Sequence, residues 1–204
     1  ASGLSMRLAL HIANGAAGIV VSKVGTYPIH RSELLDLWHS YKHSVQSKPL
    51  YTKEEMKQLI TQWQNKGETV VFTNGCFDIL HRGHITYLQE AAQLGDHLII
   101  GLNSDDSVRR LKGETRPIVR EEDRAALLSA LRCIDGVVLF EEDTPAELLA
   151  YLRPNTLVKG GDYKIEDIIG RESVDHVEVL SFKEGYSTSD IVGKIATMAK
   201  EGKL

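Results

Sequence analysis

Two histidines, His81 and His84, stand three residues apart in the segment TNGCFDILHRGHITYL, and a glycine, Gly83, lies between them. Side chains at this spacing at a helix start can face one ligand, and the glycine leaves room for that ligand to approach the backbone. The free N–H groups and the positive dipole end of a helix start bind anions. The segment therefore predicts a phosphate-binding turn before a helix.

Two other interpretations of the histidine pair remain open at this point. An H-x-x-H motif is often no more than two polar capping residues on an exposed turn. Zinc binding is less favoured, because no third nitrogen, sulfur or carboxylate ligand follows at helical spacing. The two cysteines, Cys76 and Cys133, also lack metal-ligand spacing, and we expect both to be unpaired in a reducing compartment.

The composition indicates a globular protein in which phosphate ligands are held by local donors. The chain has 204 residues, of which 42% are hydrophobic and 25% charged, with a net charge of -4. This charge disfavours nucleic acids and anionic membranes as partners. The apolar stretch before residue 22 is interrupted by Arg7, His11 and Asn14 and has no run of eighteen apolar residues. We therefore expect a cytoplasmic protein.

The N-terminal quarter differs in its hydrophobic pattern from the rest of the chain. Its pattern predicts a helix over Leu4–Asn14, an Ala/Gly-rich turn into the apolar stretch Ile19–Val21, and a helix over Arg31–His43. A polar connector over Ser44–Pro49 follows. A helix over Thr52–Lys66 comes next, with Thr52 as its N-cap.

From Glu68 onward, apolar strands alternate with helices. Strands are expected at Thr69–Phe72, His97–Leu102, Gly136–Phe140, Thr156–Lys159 and Val177–Leu180, and helices at Gly83–Leu94, Glu121–Leu131, Pro145–Leu152 and from Ser187 to the C-terminus. This alternation is typical of a parallel sheet covered by helices on both faces. Such sheets bind ligands at the carboxyl ends of their strands.

The segment GCFDILHRGHITYLQEAAQLGDHLIIGLNSD resembles the signature of the cytidylyltransferase-like nucleotidyltransferase superfamily, whose hallmark is H-x-G-H after the first strand. Residues from Glu68 to Ile195 are similar to the adenylyltransferase domain of bifunctional bacterial enzymes that form ADP-heptose. The resemblance implies a Rossmann-like doubly wound parallel sheet. It also implies transfer of AMP from ATP to D-glycero-D-manno-heptose 1-phosphate, for lipopolysaccharide inner-core synthesis, with both histidines stabilising the nucleotide phosphates.

Three later segments fit the same resemblance in the expected order. VRRLKGETRPIVREEDR resembles a mobile basic loop and the helix after it, VKGGDY offers glycines for close approach of a base, and EGYSTSDIV offers hydroxyls at a helix start. Related enzymes have an arginine before this last cluster, where the chain has Lys183, which keeps the charge but loses the bidentate fork. Plain turns, solvated lysines and a simple N-cap are the ordinary explanations for such segments.

The expected site follows from the resemblance and from these positions. Its members are the catalytic residues His81, His84 and Lys112, the nucleotide-binding residues Thr73, Asn74, Gly75, Phe77, Gly83, Arg124, Gly160, Gly161, Asp162, Ser187, Thr188 and Ser189, and the sugar-phosphate-binding residues Asp78, Asp105 and Arg116. A structural cap is an equally good interpretation of Asp78. No protein metal ligand is expected, and one Mg²⁺ would bridge the ATP phosphates. The expected partners are ATP, a sugar 1-phosphate and further copies of the chain.

Residues from Leu4 to Leu37 resemble the closing helix and strand of a ribokinase-like sugar kinase, without its Gly-rich anion hole and aspartate base. We therefore expect a kinase remnant at 1–46, a linker and connecting helix at 47–67, a nucleotidyltransferase domain at 68–204, and no kinase activity. Two alternatives stay open. One is a cytidylyltransferase acting on glycerol 3-phosphate or another polyol phosphate, and the other is a non-catalytic nucleotide-binding or oligomerisation module.

Overall fold

The computed structural model of the chain describes residues 6–23, 25–35, 37, 50–161, 163–181 and 187–203. The chain divides into two compact units, 1–47 and 48–204. The connector expected at Ser44–Pro49, the start of the first helix at Leu4 and most of the predicted helix over Arg31–His43 lie outside the described residues. No helix in the described ranges is long and apolar enough to cross a membrane.

The first unit contains one long helix, α1, which runs from Met6 to Val21. The turn and the separate apolar stretch expected after Asn14 were wrong, because the helix continues through both. Alanine has the best helix propensity, and the cost of about 1 kcal/mol for each glycine is too small to end the helix. At Gly15, a β-carbon would lie 2.6 Å from Cδ2 of Leu37, so a larger residue there would require the Leu37 side chain to shift. A shorter helical segment covers residues 31–35.

The second unit is built on a parallel sheet of five strands in the order β3-β2-β1-β4-β5. The strands are β1 Val70–Gly75, β2 His97–Asn103, β3 Gly136–Phe140, β4 Thr156–Gly160 and β5 His176–Leu180. β2 and then β3 lie on one side of β1, and β4 and then β5 lie on its other side. The chain order therefore reverses between β1 and β4, which is the place where open sheets of this kind bind ligands.

Helices cover both faces of this sheet, as the sequence predicted. The helices are α2 Lys53–Asn65, α3 Arg82–Ala92, α4 Asp105–Lys112, α5 Glu121–Ser129, α6 Ala146–Leu152 and α7 Thr188–Lys200. Side chains of α3 and α5 share one core with alternate strand residues such as Val71. Side chains of α2 and α6 share the other core with Val70 and Phe72. Because successive side chains of β1 point to opposite faces of the sheet, this strand contributes to two separate cores.

Most predicted elements of the second unit are confirmed to within a few residues. The N-cap Thr52 side chain accepts a hydrogen bond from Glu55 N, and the Glu55 carboxylate accepts one from Thr52 N, so α2 begins with a complete capping box. The first strand extends three residues beyond its predicted end at Phe72, because polar Thr73, Asn74 and Gly75 still pair with β2. This extension brings the polar end of β1 to the edge of the sheet.

One helix was missed. Residues from Asp105 to Lys112 form α4, where the sequence suggested a basic loop. Ser104 caps this helix by accepting from Ser107 N, two aspartates occupy the first turn and basic residues occupy the last turn. This charge order complements the helix dipole, and it was the signal that could have predicted the helix. The helix ends at Gly113, whose positive φ of 98° favours glycine.

Candidate active site

A cavity of about 370 Å³ opens at the carboxyl ends of β1 and β4, where the chain order reverses. Five segments that are distant in sequence form its walls: the end of β1 with the turn after it, the first turns of α3, the loop around the end of α4, the end of β4, and the start of α7. The lining residues are Asn74, Gly75, Cys76, Phe77, Asp78, His84, Tyr87, Lys112, Arg116, Lys159, Gly160, Tyr163, Thr188 and Ser189.

The turn after β1 positions the two histidines. His81 is the N-cap of α3, and its Nδ1 accepts a hydrogen bond of 3.3 Å from the backbone N–H of His84. The two imidazoles stack with ring centroids 3.8 Å apart, and Phe77 meets His84 edge-on at 5.3 Å. Phe77 has a positive φ of 45°, a conformation that non-glycine residues rarely adopt and that clusters at functional sites.

His84 lines the cavity as a neutral group. Burial and the nearby His81 together lower the pKa of His84 to about 4, and a hydrogen bond with the Ile79 backbone opposes this shift. Burial also lowers the pKa of His81. Among the described residues, the buried Nδ1 of His84 has no hydrogen-bond partner. A neutral imidazole with an unsatisfied nitrogen is suited to a polar ligand in the cavity.

The other side of the cavity is formed by β4. Lys159 lies at the end of this strand and donates a hydrogen bond to Oδ1 of Asn74 on β1. Burial lowers the pKa of Lys159 to about 8. Beneath it, the hydroxyl of Tyr87 contacts the hydroxyl of Thr73 at 2.7 Å and donates to the carbonyl of Val158 at 3.2 Å. These buried hydrogen bonds fix the floor of the cavity.

Asp78 anchors the loop that follows α4. Its carboxylate accepts hydrogen bonds from the backbone N–H groups of Ile118 and Val119, at 2.8 and 2.9 Å, and pairs with Nε of Arg116. The side chain is only 3% exposed, so these contacts replace its hydration. Of the two interpretations given for Asp78 from the sequence, the structural one fits this geometry. Arg116 is thereby held at the cavity wall.

Arg124 and Asp105 were expected to contact substrates, and neither lines the cavity. The guanidinium of Arg124 is completely buried and donates to the carbonyls of Val119 and Cys76 and to Oδ1 of Asp105, at 3.0, 2.6 and 2.7 Å. These contacts give both residues a structural role, and the direct contact with substrate stays a prediction. Together they tie the turn after β1 to the starts of α4 and α5, which positions the cavity wall.

The start of α7 brings the late hydroxyl cluster to the cavity. Ser187 acts as the N-cap and accepts from Asp190 N, so its hydroxyl is used by the helix itself. Thr188 and Ser189 line the cavity, and Oγ1 of Thr188 donates to the carbonyl of Ile79 at 3.5 Å. The start of α7 therefore contacts the turn that precedes α3.

Ten of the eighteen residues named from the sequence line the cavity: Asn74, Gly75, Phe77, Asp78, His84, Lys112, Arg116, Gly160, Thr188 and Ser189. Thr73, His81, Gly83, Asp105, Arg124, Gly161 and Ser187 lie outside the lining and support it, while Asp162, like Lys183, is outside the described residues. Sequence reasoning missed Cys76, Tyr87, Lys159 and Tyr163. A charged residue within the apolar run TLVKG was the signal for Lys159.

No group of three or more His, Cys, Asp or Glu side chains in the described part of the chain is arranged to hold a metal ion. Among the described residues that line the cavity, Asp78 alone has a carboxylate, and it is held by Arg116 and two amides. The other polar groups of this lining are an amide, an imidazole, a thiol, hydroxyls and three cationic side chains. This donor set fits a phosphate-bearing ligand that brings its own divalent ion.

Comparison with known proteins gives a consistent result. The family model described as cytidylyltransferase-like matches residues 72–194. Proteins named "Bifunctional protein HldE" are similar over nearly the whole chain: the one from Hydrogenovibrio crunogenus is 51% identical over 199 residues, and the one from Citrifermentans bemidjiense is 50% identical over 200 residues. These matches cover 95% and 96% of this chain and 41% of each relative, so the chain spans about two fifths of their length.

A solved structure was also found, a lipopolysaccharide core biosynthesis protein from Thermoplasma volcanium. It is 32% identical, its TM-score is 0.48, and the match covers 59% of this chain and 100% of that chain.

Proposed function

Because the chain belongs to the cytidylyltransferase-like family, we propose that it is an adenylyltransferase that transfers AMP from ATP to D-glycero-D-manno-heptose 1-phosphate. The products are ADP-heptose and pyrophosphate, for lipopolysaccharide inner-core synthesis. The observation that supports this most strongly is the convergence of two helix starts, those of α3 and α7, on one cavity at the point where the strand order reverses. Helix starts of this kind favour phosphate groups.

The reaction needs positioning and charge stabilisation more than acid–base chemistry. A phosphate oxygen of the sugar phosphate attacks the α-phosphorus of ATP, a new P–O bond forms, and the bond between the α-phosphorus and the bridging oxygen breaks. Pyrophosphate leaves with that electron pair. Because the nucleophile is already an anion, no strong base is required, and donors fixed in advance supply most of the stabilisation.

His84 is the central donor in this proposal. Its pKa of about 4 keeps the imidazole neutral near pH 7 in the absence of ligand, and the negative charge of a bound phosphate favours the protonated form, in which both ring nitrogens donate. Lys112 and Arg116 add positive charge at the cavity wall, and Thr188 and Ser189 add hydroxyls at the other helix start. Mg²⁺ carried by the ATP phosphates would neutralise charge on the departing pyrophosphate.

The remaining assignments belong to the same proposal. The sugar is suggested by the resemblance to ADP-heptose-forming enzymes. The resemblance of residues from Leu4 to Leu37 to the end of a sugar kinase suggests that residues 1–46 belong with such a domain. The cytoplasmic location, the self-association and the absence of kinase activity remain predictions, as do the domain limits at 46 and 67. Oligomeric state can be measured directly by sedimentation.

The test is release of pyrophosphate from purified protein supplied with Mg²⁺, heptose 1-phosphate and either ATP or CTP. We expect turnover with ATP and heptose 1-phosphate together, and little when either is omitted. Preference for CTP with glycerol 3-phosphate would support the polyol-phosphate alternative instead. Binding of ATP without any release of pyrophosphate would indicate a non-catalytic module.

A further inference from the structure

Lys159 is a cavity cation in the segment VKGGDY, which the sequence analysis singled out only for its glycines. It is the last residue but one of β4, after the buried residues Leu157 and Val158, and its ammonium reaches across to Oδ1 of Asn74, the last residue but one of the neighbouring β1. Both residues line the cavity. The side chain is therefore directed by two adjacent strands toward the point where the order of the sheet reverses.

The ammonium has little to compensate its charge in the absence of ligand. Burial alone accounts for the lowering of the pKa of Lys159 to about 8, and no described carboxylate pairs with the amine. The cavity carboxylate Asp78 is held by Arg116 and by the amides of Ile118 and Val119. A neutral amide oxygen offsets only part of the cost of burying a cation.

We infer that Lys159 is a phosphate-binding residue of this cavity, held in position by Asn74 and completed as an ion pair by a phosphate oxygen of a substrate. The identity of that phosphate rests on the proposed function, since ATP and the sugar phosphate both supply such oxygens. With a pKa of about 8, the amine is still mostly protonated near pH 7 and presents a poorly compensated cation to an incoming phosphate.

The position of Lys159 separates its role from that of the other cations. Lys112 and Arg116 follow β2, on one side of β1, whereas Lys159 comes from β4 on the other side. Transfer between two phosphate-bearing substrates brings two groups of negative charge together across this central strand. Cations on both flanks of β1 would hold these two groups against their mutual repulsion.

Proton uptake is a direct consequence. The ligand phosphate raises the pKa of Lys159, so binding above pH 8 draws a proton onto the amine. The other titratable groups that face the cavity are His84, Lys112, Arg116, Asp78, Cys76, Tyr87 and Tyr163. A comparison of wild type with a variant at residue 159 isolates the proton that belongs to the lysine.

The experiment measures binding of three probes by calorimetry: MgATP, inorganic pyrophosphate and inorganic phosphate, the last standing in for the sugar monoester. For Lys159→Met we expect at least tenfold weaker binding of one or more probes. Loss confined to ATP and pyrophosphate assigns the residue to the triphosphate, and loss confined to inorganic phosphate assigns it to the sugar phosphate. Lys159→Gln provides a second neutral variant if the methionine variant folds poorly.

Lys57→Met is the matched control. Lys57 is also a lysine whose pKa is lowered by burial, but it lies on α2 and donates to the carbonyl of Leu152, outside the cavity lining. Its replacement should leave the affinity for all three probes unchanged. A second readout compares heats of binding at pH 8.5 in two buffers of different ionisation enthalpy, where proton uptake by wild type should exceed that of Lys159→Met.

Two results would overturn the inference: unchanged affinities and proton uptake in a folded Lys159 variant, or failure of the wild type to bind any of the three probes. The proposed function fails separately. If wild type binds pyrophosphate through Lys159 but releases none from ATP and heptose 1-phosphate, the phosphate site stands and the adenylyltransferase proposal does not.

Discussion

The two edges of the parallel sheet, where the strands begin and where they end, carry similar polar residues that have different roles. At the edge where the strands begin, polar side chains pair with the backbone of neighbouring segments: Asp96 accepts from the N–H and hydroxyl of Thr69, Asn155 accepts from Val70 N, and Asp135 accepts from Leu98 N. His97 stacks on Trp63 with ring centroids 4.0 Å apart and lies between the carboxylates of Glu68 and Asp135. Nδ1 of His97 makes no hydrogen bond to a described residue, but the Asp135 carboxylate lies 3.5 Å from it. These contacts join loops to strand starts.

At the edge where the strands end, the polar groups are less completely matched. Nδ1 of His84 is buried without a partner in the described chain, and Lys159 has an amide oxygen but no carboxylate. Burial lowers the pKa of both groups there, whereas nearby carboxylates raise the pKa of His97 at the opposite edge despite its burial. A buried polar group without a full set of partners costs stability. Such a group is useful only where a ligand supplies the missing partner.

The largest expected effect that separates the two edges is on catalysis. His84→Ala should lower the rate of pyrophosphate release by about 10²–10³-fold, because the site loses a donor that stabilises transition-state charge. His97→Gln, the matched histidine change at the other edge, should leave the rate within about twofold. Equal losses in the two variants would remove the functional distinction between the edges.

A buried arginine tests whether the cavity wall and the ligand contacts are separate. Arg124→Met should lower the free energy of unfolding by about 3 kcal/mol, since it leaves the partly buried Asp105 and the carbonyls of Cys76 and Val119 without their donor. Urea denaturation measures this change. Arg110→Met, which breaks an exposed pair with Asp143, should cost less than about 1 kcal/mol. Native stability combined with lost ATP affinity would restore Arg124 as a nucleotide contact.

A smaller effect is expected for an asparagine at the strand-start edge. Asn155→Ala removes the acceptor for the buried N–H of Val70 and should lower the free energy of unfolding by about 1–2 kcal/mol. Asn155→Asp keeps that acceptor but replaces the amide that donates to Asp175 with a second carboxylate, so it should lower the free energy of unfolding as well. Turnover measured below the unfolding transition should be unchanged in both variants. A large loss of turnover would show that this edge also takes part in the reaction.

The smallest effect is a pH dependence at His97. Burial lowers the pKa of His97, but the contacts with Asp135 and Glu68 outweigh the effect of burial and leave the pKa raised. The charged imidazole therefore stabilises the fold below about pH 6.5, the unfolded-state value, and this contribution is lost as the pH rises through the folded-state pKa. His97→Gln should cost about 0.5 kcal/mol more at pH 5.5 than at pH 8.5. Urea midpoints at the two pH values measure the difference, and an equal or reversed cost would contradict the assignment.

The fold was largely predictable because its apolar strands and capped helices are local signals. The turn that carries the histidine pair was predictable for the same reason, since His81, Gly83 and His84 lie within four consecutive positions. The interior partners were not, because the pairing of Arg124 with Asp105 depends on how separate segments pack. Lys159 was overlooked since its chemistry arises from burial beside Asn74 and not from neighbours in sequence.

The central claim is that substrates bind at the strand-end edge and leave the other edge unaffected. The most direct measurement is an amide NMR titration of the ¹⁵N-labelled protein with MgATP. The account predicts shifts at the end of β1, at His84, at Gly160 and at the start of α7, with none at Glu68, His97 or Asp135. Shifts centred on the strand-start edge, or no saturable shift at the cavity, would contradict it.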